Sequence, residues 1–139
     1  MHITLEGDYA VRIVSCLCTN GRRMDAKSIS EETGVTLRFS LKILRKLVAE
    51  GIVQSYKGTQ GGYELARPKE EITLYDVMSS IMGDYALSRC VDGEGEECHF
   101  TCTNPHNDCP ASCKVRKVYT DISQVVRDKL RAVTFADLT

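Results

Sequence analysis

The stretch DAKSISEETGVTLRFSLKILRKLVAEGIVQSYKGTQGGYELA, residues 25–66, decides the fold. Behind Asp25, Ala26 and Ile29 sit at helical spacing and Gly34 closes the segment, so a short helix capped by the aspartate side chain is predicted. From Thr36 to Glu50, Phe39, Ile43, Leu44, Leu47 and Val48 recur at intervals of three and four, while Arg38, Lys42, Arg45 and Lys46 fall largely elsewhere. That pattern is an amphipathic helix with a basic outer face. Gly51 ends it, IVQSY (52–56) has strand composition, KGTQGG is a turn and YELA a returning strand, which together read as a hairpin.

Upstream, Tyr9, Ala10, Val11, Ile13 and Val14 predict a helix over Asp8 to Leu17 with a stop at Asn20-Gly21. Downstream, Thr73 with Asp76 has the spacing of a capping box that opens a helix through Val77, Ser80 and Ile81 to about Gly83. Helix, short helix, basic helix and glycine-tipped hairpin is the element order of a winged helix-turn-helix. Near the C-terminus Val115, Val118, Tyr119, Ile122, Val125, Val126 and Leu130 trace one stripe of a long helix. A stripe of that length invites a partner surface, most simply a second copy of the chain. The expected fold is therefore mainly α with a small β-hairpin: a winged helix-turn-helix domain over 1–83, a cysteine-rich cofactor or sensor loop over 84–113, and a dimerisation helix and tail over 114–139.

The chain has 139 residues, 42% apolar and 27% charged, ordinary values for one globular domain with an appended arm. No apolar run approaches the ~18 residues of a membrane span, and the first residues lack the layout of a signal peptide, so a cytoplasmic location is expected. The net charge of −1 conceals a basic stretch: between Gly34 and Arg67 six cations accompany two carboxylates. Such a stretch suits a polyanion, or is simply a solvated helix face. If the helix of residues 36–50 enters a major groove, its first turns supply the readers: Thr36, Arg38, Phe39, Ser40 and Lys42, with Arg45 behind them. Phe39 reads equally well as a core residue. At the wing tip Lys57 and Gln60 can hydrogen-bond to a phosphate or minor groove, and Gly61 and Gly62 allow close backbone approach.

Seven cysteines in a reducing compartment point to metal or redox chemistry rather than a disulfide framework. Cys16 and Cys18 lie two apart on a helix and read as small core residues. The other five, Cys90, Cys98, Cys102, Cys109 and Cys113, crowd into 24 residues. Thiolates so grouped favour an iron–sulfur cluster, of 2Fe-2S or 4Fe-4S type. Tetrahedral zinc on Cys98, Cys102, Cys109 and Cys113 is the competing reading, and metal-free thiols a third. A thiol enzyme using His99 or His106 as base has no supporting motif, so the chain is read as a non-enzyme.

The segments GDYAVR (7–12), FSLKILRKLVAEGIV (39–53), GTQGGYELAR (58–67) and ITLYDVMSSI (72–81), with the cysteines that follow, resemble the IscR/NsrR/CymR-type winged-helix regulators, the Rrf family. The likeness covers nearly the whole chain. It implies a bacterial transcription regulator, typically a repressor, that binds palindromic double-stranded operators as a homodimer. Many members sense iron, nitric oxide or redox state through a cluster. It also implies ligands: Cys90 as the first, Cys113 as the third, and Cys98 between them by forward count, with Cys102 and Cys109 as alternates. The fourth ligand in one branch is a carboxylate near the N-terminus of the other subunit, and Asp8 holds that position. In the IscR branch it is a histidine after the third cysteine; Arg116 stands there instead.

Overall fold

The computed structural model of the chain describes residues 2–91 and 113–139. The elements are α1 (Leu5–Asn20), α2 (Ala26–Thr33), α3 (Leu37–Ala49), β1 (Val53–Tyr56), β2 (Gly62–Leu65), α4 (Leu74–Met82), α5 (Lys114–Arg131) and a last short turn of helix, α6 (Phe135–Leu138). Side chains cap the helices, at Asp25 and Thr73 as the sequence predicts and at Thr4 and Thr36 in addition. The side chain of Thr4 accepts from the amide of Gly7, Asp25 from that of Ser28 and Thr36 from that of Phe39. At α4 the exchange is reciprocal: the Asp76 amide donates to the Thr73 hydroxyl at 3.1 Å and the Thr73 amide to the Asp76 carboxylate at 2.9 Å.

Residues His2–Gly83 and Leu130–Thr139 form one compact unit, and Asp84–Lys129 another. The core of the first is built from Ala10, Ile13, Val14 and Leu17 of α1, Ile29 of α2, Ile43, Leu44 and Leu47 of α3, and Ile52, Val53, Ile72 and Val77. Phe135 completes it. The tail returns to the first unit through amides of Phe135 and Leu74 that donate to the Ile72 and Val133 carbonyls, both at 2.9 Å. Arg131 lies over the ring of Tyr75, 4.1 Å from its centre. The sequence reading had grouped this tail with the final helix.

The hairpin is antiparallel with Val53 opposite Leu65 and Tyr56 opposite Gly62. Met24, in the α1–α2 connection, adds a third short rung by exchanging hydrogen bonds with Tyr63 at 2.9 and 2.7 Å. Gly62 has φ 141°, and a side chain there would place its Cβ 2.6 Å from the Met24 carbonyl oxygen. No bulkier residue fits that approach.

In the second unit α5 is pinned by polar contacts. The buried Ser123 hydroxyl donates to the Tyr119 carbonyl and accepts from the Leu87 amide. Arg127 donates to the Tyr85 carbonyl at 2.8 Å and pairs with Asp84 at 3.1 Å. Val115, Val118, Ile122 and Val125 remain exposed. Among the described residues no helix is long and apolar enough to cross a membrane.

Because Phe135 is fully buried, Phe135→Ala should cost about 3–5 kcal/mol of stability through lost transfer energy and the cavity left behind. Urea unfolding of the whole chain measures it; a loss below about 1 kcal/mol would remove the tail from the core.

Candidate nucleic-acid interface

The inward face of α3 fixes what its other face presents. Ile43, Leu44 and Leu47 are wholly buried, so Leu37, Arg38, Leu41, Lys42 and Arg45 are turned to solvent. Arg38 and Arg45 make no ion pair with any described residue and are the two unengaged cations of this face. The remaining sequence-predicted readers are placed differently. Ser40 is 0% exposed, and its hydroxyl donates to the Val35 carbonyl at 3.3 Å. It faces the core and is withdrawn as a base reader. Thr36 is exposed, but its oxygen is engaged as the cap of α3. Phe39 lies outside the buried core, 38% exposed, and its ring meets Tyr9 edge-on with centroids 5.8 Å apart.

Lys42 is tied back to the body of the domain. Its ammonium hydrogen-bonds to one carboxylate oxygen of Glu6 on α1, and Lys46 reaches the other oxygen at 3.3 Å. The Lys42 hydrogen bond first, and then that of Lys46, hold the Glu6 carboxyl below its ordinary pKa, so it stays ionised between two cations. Sequence periodicity had no means of finding Glu6, because the pairing joins residues 36 and 40 positions apart.

The wing is held from the same side of the domain by Arg23, which the sequence reading also missed. Its guanidinium stacks 3.3 Å from the centre of the Tyr56 ring, donates to the Gln60 carbonyl at 3.1 Å and pairs with Glu64 at 3.5 Å. The Tyr56 hydroxyl donates to Glu64, which raises the tyrosine pKa and lowers that of the carboxyl. Lys57, Gly58, Thr59 and Gln60 form the exposed tip. Gly61 and Gly62 are half-buried, and their lack of a side chain serves the hairpin itself: a Cβ on Gly61 would lie 2.6 Å from the Tyr56 carbonyl oxygen.

The cysteines divide as follows. Cys18 is buried among core residues, and desolvation raises its pKa. Cys16 is half-buried, and burial with the nearby Glu32 carboxylate pushes its thiol up to about 11. Neither offers a thiolate near neutral pH. Cys90 and Cys113 are free, half-buried thiols of the second unit. Cys90 lies in a short 3-10 turn, Arg89–Val91, and Cys113 immediately precedes α5. Arg116 joins their surroundings, since its Nε–H, one turn into α5, donates to the Cys90 carbonyl at 3.0 Å. That hydrogen bond ties the start of α5 to the turn that carries Cys90. Cys90 and Cys113 are soft thiol donors of the kind that an iron–sulfur cluster or zinc takes. Cys98, Cys102 and Cys109, with His99 and His106, lie outside the described residues, and among the described residues no three His, Cys, Asp or Glu side chains gather. Asp8 pairs with Arg12 at 2.9 Å and is partly exposed.

Residues 3–139 match the model of the Rrf2 family, described as an iron-dependent transcriptional regulator. The rrf2 protein of Nitratidesulfovibrio vulgaris is 28% identical over 142 residues, covering 99% of this chain and 87% of that protein. Two solved structures share the fold. IscR of T. potens superposes with a TM-score of 0.72 at 21% identity, covering 99% of this chain and 85% of that one. CymR, the global cysteine regulator of B. subtilis, superposes with a TM-score of 0.75 at 21% identity, covering 99% and 95%.

The raised pKa of Cys16 has a direct chemical readout. A thiol whose folded pKa is about 11, above an unfolded value near 9.0, stays protonated in the native state as pH passes the unfolded value. Its contribution to stability is complete below that value and is lost between the two. Alkylation of Cys16 by iodoacetamide, followed by peptide mass spectrometry, should stay slow in the folded protein at pH 8 and accelerate only above pH 9. Labelling at pH 8 as fast as in urea would contradict it.

Proposed function

The chain belongs to the Rrf2 family of transcriptional regulators, and from that membership we propose how its two units divide the work. The α3 face and the wing dock on double-stranded DNA: Arg38 and Arg45 in the major groove, Lys57 and Gln60 on the flanking backbone or minor groove. The observation that carries this reading is the pair of exposed arginines, without ion-pair partners among the described residues, on the helix that follows the helix-turn-helix bend. A homodimer would place two such heads one helical turn apart on a palindromic operator. The exposed row Val115, Val118, Ile122 and Val125, spaced three, four and three apart along α5, is the proposed contact between the copies.

The sensor is proposed to be an iron–sulfur cluster. Cys90 and Cys113 would hold it together with one of Cys98, Cys102 or Cys109, Cys98 by preference, and Asp8 from the second subunit would complete the shell. When bound, such a group supplies reactivity towards iron supply, nitric oxide or oxidants. The chain's own residues supply the transmission. Asp8 and Glu6 lie in the first turn of α1, and Glu6 grips Lys42 and Lys46 of α3. A pull on Asp8 is therefore a pull on the orientation and charge of the reading helix. Arg12, which holds Asp8 in this structure, would have to release it.

Three measurements test these points. Glu6→Gln should free Lys42 and Lys46 for phosphates, tighten non-specific DNA binding several-fold and steepen the plot of log K against log salt by about 1–2; an unchanged slope would dissociate Glu6 from the interface. Replacing Val118 and Val125 together by lysine should halve the mass seen in sedimentation, whereas an intact dimer would place the interface elsewhere. After oxygen-free purification, visible absorbance with iron and sulfide supports the cluster. Colourless protein with zinc, or with no metal, overturns it.

A further inference from the structure

Leu37 and Leu41 are 45% and 43% exposed, one turn apart, on the face of α3 that also carries Arg38 and Arg45. Single exposed leucines need no explanation, but two stacked on the reading helix of a DNA-binding domain do. At 100° per residue the outer face resolves into three strips. The arginines form the crest, the leucines form one flank, and Lys42, held by Glu6, forms the other. Charge identifies the occupant of this face. A protein partner that covered the leucines would also cover two guanidiniums that pair with no carboxylate among the described residues, whereas DNA offers phosphates and guanine edges to the same groups. Of the groups that base pairs present in the major groove, the C5-methyl of thymine is the apolar one, and aliphatic side chains meet it favourably.

We infer that Leu37 and Leu41 are specificity residues that read thymine methyl groups in the major groove, beside the contacts made by Arg38 and Arg45. The inference rests on the DNA-binding reading above and adds base identity to it. Each half-site should then contain at least one thymine whose methyl group, rather than its hydrogen-bonding edge, is recognised. Leu37, at the start of α3, and Leu41, one turn further, would address neighbouring base steps.

The test uses the full chain. Operators are first selected from a random duplex pool, and each thymine of the consensus is then replaced singly by deoxyuridine, which removes only the methyl group and keeps the base pair. One or two replacements per half-site should weaken binding about three- to fivefold, the amount expected for one buried methyl group. In Leu37→Ala or Leu41→Ala that penalty should shrink to below about 1.5-fold at the matching thymine, while other thymines behave as before. Both side chains are exposed, and the deoxyuridine series with the unaltered protein needs no variant at all. Deoxyuridine tolerated at every position, or a penalty that survives both substitutions, overturns the inference while leaving the regulator reading intact. A pool that yields no enriched sequence overturns both.

Discussion

Ile43, Leu44 and Leu47 commit one side of α3 to the core, and a helix so committed has no freedom to rotate about its own axis. Everything proposed for this protein hangs on that constraint. It turns Arg38 and Arg45 outward and Ser40 inward, and it lines up Leu37 with Leu41. It also brings Lys42 and Lys46 to Glu6. The core residues of α1 and α4 serve the same end, because they supply the surface against which α3 is seated, and Phe135 packs into the same core.

Around that fixed helix, electrostatics does the finer positioning. Arg23 holds the wing through a ring, a carbonyl and a carboxylate, and Glu6 holds two lysines of α3. Exposed ion pairs of this kind contribute little to stability. Their value here lies in orientation and in the availability of charge: a lysine neutralised by Glu6 is a lysine withheld from a phosphate. The first turn of α1 carries both Glu6 and Asp8, and it is there that the sensor is proposed to act.

The helices, the hairpin and their order were legible in the sequence, because capping residues and apolar periodicity are local signals. Asp25 and the Thr73–Asp76 box act as their spacing predicted. The site was legible in part. Arg38 and Arg45 are where the periodicity of α3 puts them, and so is Ser40: three, four and seven residues before Ile43, Leu44 and Leu47, it shares their inward face and satisfies its hydroxyl on the Val35 carbonyl, so reading it as a base contact went against that periodicity. Arg23, Glu6 and Phe135 act across long sequence separations and leave no local trace. At Gly61 and Gly62 an added side chain would meet the Tyr56 and Met24 carbonyls, a packing role that leaves no local trace in the sequence. For the cysteines, a count and a spacing identify soft-donor chemistry without choosing among the middle three thiols.

The central claim is that one face of α3 and the tip of the wing meet DNA. Hydrogen exchange of the whole chain, followed by mass spectrometry with and without a selected operator duplex, tests it most directly. The account predicts added protection in peptides covering residues 36–45 and 57–62, with the amides of the buried core unchanged. Binding that leaves those two segments unprotected and shields another surface instead would contradict it.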